Sequence, residues 1–249
     1  MKADLFDPED LERSLHGVDR AVFQVPEHLS QAKLTQARRA DMLALIADNF
    51  ARAAKNQGAR EIIYVAQDSP ENQECKEILA AQGIPLTTRE AEPAAPPKQS
   101  GVHTPRRGVR SIQRITVPSH WSPEATADYY LHWLARTGLR LVKIRTDSET
   151  AEIGLRFLKE PLLKLEHDSE QSREDYFIYR IVGGKLARAR KGSRARLTFR
   201  KILRQDQVFI SIHDFEPALP WPLYVLTQAQ VHLLVMKLFG LATKANGGF

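Results

Sequence analysis

The sequence predicts an α/β unit with a parallel sheet, followed by an α+β unit with an antiparallel sheet and a long C-terminal helix. Helical and strand-like stretches alternate over residues 1–90, whereas strand-like stretches follow one another over residues 110–249. Residues 91–109 are rich in proline and small side chains. We therefore assign a first domain to residues 1–90, a linker to 91–109 and a second domain to 110–249.

Cap and turn signals mark the helices of the first domain. Asp7-Pro8 followed by acidic residues predicts a helix start that Gly17 terminates, and Ser69-Pro70 repeats the same start. The predicted helices span residues 8–16, 36–57 and 70–82, and the predicted strands span 20–25, 61–66 and 84–88. Alternation of this kind is typical of right-handed crossovers within a parallel sheet.

The second domain has a different order of predicted elements. Predicted strands span residues 111–117, 139–144, 153–158, 162–166, 176–182, 194–203 and 208–214, and predicted helices span 123–138 and 223–241. Strands in succession between two helices indicate an antiparallel sheet that encloses the last helix, as in helix-grip-like folds. That helix is apolar nearly all round, which favours burial in the core. It is also compatible with the wall of a cavity for a small hydrophobic ligand, or with a membrane-surface anchor through Trp221.

Composition limits the class of protein. With 43% hydrophobic residues among 249, the chain has enough apolar side chains for a sizeable core, which excludes a disordered or collagen-like protein. Cys75 is the single cysteine, and the N-terminus lacks a basic start followed by an apolar stretch, so we expect a cytoplasmic protein. The uncharged run 217–236 contains three prolines and several polar residues, which argues against a transmembrane helix.

Charge is divided unevenly along the chain. The first 92 residues carry 11 Lys/Arg and 16 Asp/Glu, whereas the remainder carries 25 and 14. The densest run, 185–201, holds eight basic residues and no acidic one, with Arg194, Arg196 and Arg200 alternating along a predicted strand. Two interpretations stay open: these arginines bind phosphate groups or an anionic lipid surface, or they form the solvated face of the strand. In the second interpretation Ala195, Leu197 and Phe199 alternate with them and point inward. Aromatic residues are not interleaved with the arginines on the basic face, which disfavours nucleic acid.

Part of the first domain resembles the NmrA-like and epimerase-like atypical short-chain dehydrogenase/reductases. The matching stretches are ADLFDPEDL (3–11), LHGVDRAVF (15–23), NFARAA (49–54) and GAREIIYV (58–65). The resemblance implies a partial Rossmann-like, NAD(P)-binding domain. In that family the Asp-Leu pair contacts the adenine, so Asp4 and Leu5 inherit this role, and Val25 and Gln67 lie at strand ends that face the cofactor.

The family's phosphate-binding turn is missing from the chain. Members begin with a strand, a glycine-rich turn and a helix, whereas the first glycine here is Gly17, which the helix stop already explains. We therefore expect the binding of NAD(P) to be weak. A misassigned start codon, a gene fragment and a genuine loss all account for this difference, and the first two are favoured.

Residues for catalysis do not follow from the resemblance. The superfamily uses a tyrosine with a lysine four residues on, and none of the six tyrosines has that lysine. Ala66 stands where relatives often carry serine, and no histidine has metal-ligand spacing, so neither a catalytic residue nor a metal site is predicted. In the second domain IVGGKL (181–186), RLTFR (196–200) and HDFEPALPW (213–221) resemble an uncharacterised domain fused to epimerase-like proteins.

Two functional hypotheses follow. The first is an atypical reductase-like, NAD(P)-binding-type protein that is N-terminally incomplete and catalytically impaired or regulatory. The alternative is a non-enzymatic binding module for a small apolar ligand or an anionic membrane surface. An oligomeric state does not follow from the sequence.

Overall fold

The computed structural model describes residues 3–26, 29, 32–67, 69–91, 106–137, 141–188 and 192–246. The chain divides into two compact units: Met1–Gln31 with Arg38–Pro105, and Ala32–Ala37 with Arg106–Phe249. Most of the predicted linker, residues 92–105, lies outside the described residues. The short segment Ala32–Ala37 belongs to the second unit although both of its flanking segments belong to the first.

The first unit contains a three-stranded parallel sheet among its described residues, in the order β1-β3-β4. Its elements are α1 (Pro8–Leu15), β1 (Arg20–Gln24), α2 (Arg39–Asn56), β3 (Glu61–Ala66), α3 (Pro70–Ala80) and β4 (Leu86–Glu90). The sequence-based prediction of a parallel α/β unit is confirmed at this level.

The predicted cap signals form the helix starts of this unit. The Asp7 carboxylate accepts hydrogen bonds from the backbone amides of Glu9 and Asp10, at 3.1 and 3.3 Å, and Pro8 occupies the first turn. Ser69 caps α3 in the same way, since its hydroxyl accepts from the Asn72 amide at 3.2 Å. The core lies between the sheet and the helices, where the rings of Phe23 and Phe50 meet edge to face at 5.0 Å.

The second unit contains an eight-stranded mixed sheet within the described residues, in the order β2-β5-β11-β10-β9-β8-β7-β6. Its strands are β2 (Ala32–Gln36), β5 (Arg106–Thr116), β6 (Val142–Thr146), β7 (Thr150–Leu155), β8 (Leu163–His167), β9 (Tyr176–Gly183), β10 (Arg196–Arg200) and β11 (Gln207–Phe215). Its helices are α4 (Pro123–Thr137), α5 (Trp221–Leu226) and α6 (Gln228–Asn246). In this sheet order, every pair of neighbouring strands after β2, from β5 across to β6, is antiparallel, as predicted.

β2 makes the sheet mixed rather than purely antiparallel. It pairs in parallel with β5, and the backbone carbonyl of Gln36 accepts a hydrogen bond from the Gln113 side-chain amide at 3.0 Å. This strand was not predicted from the sequence. Its five residues have only one large apolar side chain, Leu34, and show no strict alternation of buried and exposed positions.

An aromatic cluster joins α4 and α6 on the sheet of the second unit. The ring of Phe239 lies 5.1 Å from that of Tyr130 and 5.2 Å from that of Trp133, and Tyr130 lies 6.0 Å from Phe199 of β10. Phe239 and Phe199 are fully buried. The predicted inward orientation of Phe199 is therefore consistent with the core.

The final helix differs from its prediction in two ways. It is interrupted at Thr227, whose backbone (φ −120°, ψ −77°) separates α5 from α6. It is also only half buried, because several large apolar side chains are exposed: Leu223, Leu226, Val231, Leu234, Leu238 and Leu241. The segment Trp221–Ala245 is long and apolar enough to cross a membrane by length and composition, and only 17% of its most apolar 18-residue window is buried.

Candidate ligand pocket and the predicted sites

Two of the four predicted cofactor residues lie at the same edge of the parallel sheet. Val25 follows β1, and its amide donates to the carbonyl of Val65 at 3.4 Å, while Gln67 follows β3. The carbonyl of Gln67 accepts from the Asn72 side-chain amide at 2.6 Å. The carboxyl ends of two neighbouring parallel strands thus bring Val25 and Gln67 together.

The other two, Asp4 and Leu5, precede α1 and have structural partners. The carbonyl of Leu5 accepts a hydrogen bond from the Asn49 side chain of α2 at 3.1 Å. One carboxylate oxygen of Asp4 accepts from the amide of Phe6 at 3.1 Å. These contacts fasten the N-terminal segment to the helices of the first unit.

The predicted anion-binding arginines are not a solvated strand face. Arg194 is exposed, but Arg196 and Arg200 are only 9% and 3% exposed. The guanidinium of Arg196 is 3.6 Å from the Asp214 carboxylate, and that of Arg200 lies over the ring of Tyr176 at 4.3 Å. The predicted exposure is therefore wrong for Arg196 and Arg200, while their binding of an anion stays a prediction.

A histidine lies among these arginines. His213 is 2% exposed on β11, opposite Arg196 in the sheet register. Burial lowers the pKa of His213 well below its ordinary value, and the positive charges of Arg196, Arg110 and Arg200 lower it further. The imidazole is consequently neutral at physiological pH.

A cavity of about 300 Å³ lies between α4 and the sheet of the second unit, a size within the usual range of small-molecule sites. We call it the α4 pocket. Its charged and ring-bearing walls are Glu124, Asp128, Asp147, His167, Phe177 and Tyr179. This site was not predicted from the sequence.

One wall of the α4 pocket comes from a single face of the helix. Glu124, Asp128 and His132 are spaced by four residues and therefore lie one above the other. The helix start is fixed by Ser122, whose hydroxyl accepts from the Ala125 amide at 3.0 Å. The two carboxylates are exposed at the rim, and neither forms an ion pair with a described residue.

A third carboxylate is held rigidly in the turn between β6 and β7. Asp147 accepts from the amides of Glu149 and Thr150, at 3.0 and 2.7 Å, and from the Thr150 hydroxyl at 2.7 Å. The hydroxyl of Thr150, and then the two amides, lower the pKa of Asp147. This turn therefore presents a fixed negative charge at neutral pH.

Stacked rings form the floor of the pocket. His167 and Phe177 stack at 4.5 Å, and Phe177 meets Tyr179 edge to face at 4.9 Å. His167 is oriented by the Ser172 hydroxyl, 3.2 Å from its Nε2 atom. Ser172 in turn accepts from the amide of Ile178 at 3.1 Å, which ties the loop to β9.

Tyr179 stands out among these residues. Its side chain is 7% exposed, it lines the cavity, and its hydroxyl has no hydrogen-bond partner among the residues that the structure describes. Burial, followed by the negative charges of Asp128 and Glu124, raises the pKa of Tyr179 to about 12. A hydroxyl that meets a cavity without a protein partner is free to form a hydrogen bond with a ligand there.

The pocket could not be predicted from the sequence because the residues that line it are distant from one another in the chain. The usable signal was the four-residue spacing of Glu124, Asp128 and His132, which places three polar groups on one helix face. Within the described part of the chain, no group of three or more His, Cys, Asp or Glu side chains is arranged to hold a metal ion.

The comparisons with known proteins give one similarity that covers nearly the whole chain. No family model matches the sequence. The chain is 25% identical over 241 residues to the auxiliary protein GraX of Staphylococcus aureus, covering 95% of this chain and 76% of that protein. A solved structure of an uncharacterised protein from Bacillus thuringiensis is 12% identical with a TM-score of 0.35, covering 54% of this chain and 96% of that one. The chain is therefore similar over most of its length to an auxiliary protein.

Proposed function

We propose that this protein is a non-enzymatic binding protein whose second unit binds a small organic cation in the α4 pocket. The observation that carries the proposal is the hydroxyl of Tyr179, which lines the cavity without a hydrogen-bond partner among the described residues and lies near the negative charges of Glu124 and Asp128. A ligand that carries an ammonium or guanidinium group fits this arrangement, because its N–H groups donate both to carboxylates and to the phenol oxygen.

The walls favour a cation over the two ligand classes that the sequence suggested. Glu124, Asp128 and Asp147 place three carboxylates around the cavity, which repels an anionic headgroup and makes the cavity unsuitable for a purely apolar molecule. The rings of Phe177 and Tyr179 also line the cavity, and aromatic rings attract a cation. Charge and ring geometry thus act in the same direction.

Binding suits the pocket better than catalysis. A phenol whose pKa is about 12 remains protonated at neutral pH, far from the value that general acid–base catalysis requires. The similarity to a protein named as auxiliary agrees with a role in which ligand binding, rather than turnover, is the activity.

The test is calorimetric titration of the full chain with putrescine and agmatine, and with glutarate as the anionic comparison. We expect binding of the two cations that weakens as salt is raised, because the rim carboxylates are exposed and screened. Asp128→Asn should reduce the affinity about tenfold, which corresponds to about 1.4 kcal/mol. Tyr179→Phe should reduce it severalfold.

Glu174→Gln is the matched control, because Glu174 is an exposed carboxylate outside the pocket. It should bind the cations like the parent. Equal affinity of the parent and Asp128→Asn, or binding of glutarate at the same strength as agmatine, would refute the proposed site.

A second candidate function is contact with NAD(P) by the first unit, as a Rossmann-like domain. What favours it is the shared edge of the parallel sheet at which Val25 and Gln67 meet. We expect the affinity for NADPH to be weak, since glycine-rich backbone supplies most of the phosphate binding in complete domains. Titration by nicotinamide fluorescence tests this, and a low micromolar Kd would contradict the expected weakness.

A further inference from the structure

α6 presents two apolar faces on opposite sides. Ala229, Met236, Phe239 and Thr243 are at most 3% exposed and face the core of the second unit. The opposite side is exposed and equally apolar, which is unusual for a helix at the surface of a soluble protein. The unit's own core therefore accounts for only one of the two faces.

The exposed side has the spacing of a coiled-coil seam. Its apolar residues are Val231, Leu234, Leu238, Leu241 and Ala245, at intervals of three, four, three and four residues. In a seven-residue repeat labelled a to g, Val231, Leu238 and Ala245 occupy a, and Leu234 and Leu241 occupy d. The buried residues then fall at b and f, away from this seam.

We propose that α6 pairs with α6 of a second copy of this chain as a parallel two-stranded coiled coil. Leucine at every d position, with valine, leucine and alanine at a, is compatible with two parallel strands. The occupant is a second copy because the heptad spacing matches a helix of the same repeat, and identical helices supply it in register.

The charges of α6 favour the parallel orientation. Lys237 and Lys244 fall at the g positions, and the e positions are the uncharged Val235 and Ala242. In a parallel pair each g position faces an e position of the other helix, so the lysines meet uncharged residues. In an antiparallel pair g faces g, which would oppose the lysines and repel the helices.

The exposed area is close to what a stable pair requires. Val231, Leu234 and Leu241 are 59%, 56% and 65% exposed, and Leu238 is 46% exposed. With the two exposed leucines of α5 they leave roughly 600 Å² of apolar surface, the upper end of what soluble monomers expose in one patch. Lysine stems along the seam bring this toward the ~800 Å² per partner of specific interfaces.

Membrane insertion is the competing occupant, since Trp221–Ala245 has the length and composition of a span. A span would require the removal of Met236 and Phe239 from the aromatic core, where Phe239 contacts Tyr130 and Trp133. The heptad spacing also has no role in contact with lipid. These two observations favour the helix pair.

The experiment is sedimentation of the full chain over a concentration series, with circular dichroism of every variant. We expect the parent to form a dimer in the micromolar range. Leu234→Gln/Leu241→Gln should raise the dimer dissociation constant at least 100-fold without loss of the native spectrum, because both side chains are exposed. Leu141→Gln is the matched control: it removes a leucine that is 48% exposed but lies outside α5 and α6, and should remain dimeric.

Orientation and the membrane alternative have separate readouts. Under oxidising conditions Ala245→Cys should cross-link two chains in a parallel in-register pair, whereas Gln230→Cys, at a g position, should not. A parent that stays monomeric at 100 μM, or dimers unaffected by Leu234→Gln/Leu241→Gln, would overturn the proposal. So would dimers in which Ala245→Cys fails to cross-link, or a monomeric parent that sediments with phosphatidylglycerol vesicles through these leucines.

Discussion

Two histidines of the second unit have pKa values that burial moves in the same direction. Desolvation lowers the pKa of His232 to about 4, and its Nε2 atom lies 3.1 Å from the Ser111 hydroxyl. His213 is lowered as well, by burial and then by three arginines. Protonation of either side chain is therefore easier in the unfolded chain than in the folded one.

Stability should consequently fall in mild acid. Above about pH 6.5, His232 is neutral in both the folded and the unfolded chain, so it does not make stability depend on pH. Between about pH 6.5 and the folded pKa near 4, only the unfolded chain binds the proton, and the free energy of unfolding therefore falls as the pH is lowered. By pH 5 this amounts to about 2 kcal/mol. Chemical denaturation at pH 7.5 and pH 5 should show a smaller loss for His232→Gln than for the parent. Parallel losses in the two proteins would mean that His232 does not titrate as described.

Gly184 is a position where no other residue fits. Its φ is +110°, and an added Cβ would lie 2.6 Å from the Cα of Leu163 and in steric overlap with the backbone of Leu162. Gly184→Ala should therefore destabilise the protein by more than about 3 kcal/mol. Gly83→Ala is the comparison, because Gly83 also has a positive φ, +77°, but open space around it, and should cost about 1 kcal/mol. Similar losses in urea unfolding would show that backbone strain alone, and not overlap, limits Gly184.

Among the elements, α4 serves both the core and the pocket. Tyr130, Leu131 and Trp133 pack inward, while Glu124 and Asp128 line the cavity one helix face away. The position of the carboxylates thus depends on the same helix start that orders the aromatic core.

Removal of the α4 cap should weaken this element measurably. Ser122→Ala removes the acceptor for the Ala125 amide and should reduce the free energy of unfolding by about 1 kcal/mol. Ser122→Asn keeps an acceptor in the side chain and should retain most of the stability. Thermal unfolding of the three proteins decides this, and equal midpoints for Ser122→Ala and the parent would contradict it.

Helices and strands with strong local signals were predictable from the sequence, and those without were not. Asp7-Pro8 and Ser69-Pro70 predicted α1 and α3 because a cap and a proline act on their immediate neighbours. β2 was missed because its pairing with β5, about 75 residues away, is not encoded in its own pattern. Strand alternation likewise predicted which side of β10 Leu197 and Phe199 face, but not that the arginine side is buried as well.

The α4 pocket shows the same limit for a site. Its residues come from a helix, a turn and two strands, and only the helix face could be found by spacing. The exposure of the α6 leucines was also unpredictable. A helix that is apolar all round is predicted to be buried, and its sequence does not show whether its second face packs on its own core or on another chain.

At the scale of the whole molecule, the division into two units does not follow a single cut in the sequence. The second unit consists of Ala32–Ala37 together with Arg106–Phe249. A fragment that begins at residue 106 therefore keeps the core of the sheet and its helices, but leaves the edge of β5 without its partner strand.

Such a fragment, residues 106–249, should unfold cooperatively but form large aggregates through the open β5 edge. Adding residues 32–37 ahead of it through a flexible linker of about ten residues, enough to run back along one strand, should suppress them. Both forms are best made with Leu234→Gln/Leu241→Gln, so that pairing through α6 does not obscure light scattering. Equal scattering of the two forms would show that β2 does not protect this edge.

The place of β2 in the chain also has a consequence for synthesis. Residues 32–36 leave the ribosome about 80 residues before the end of β5, the strand with which they pair. At the usual 5–20 residues per second, this strand waits roughly 4–16 s for its partner while the rest of the first unit is synthesised. The polar sequence of Ala32–Gln36, with one leucine and an exposed lysine, suits this delay, because a waiting strand of that composition attracts few wrong partners on the nascent chain.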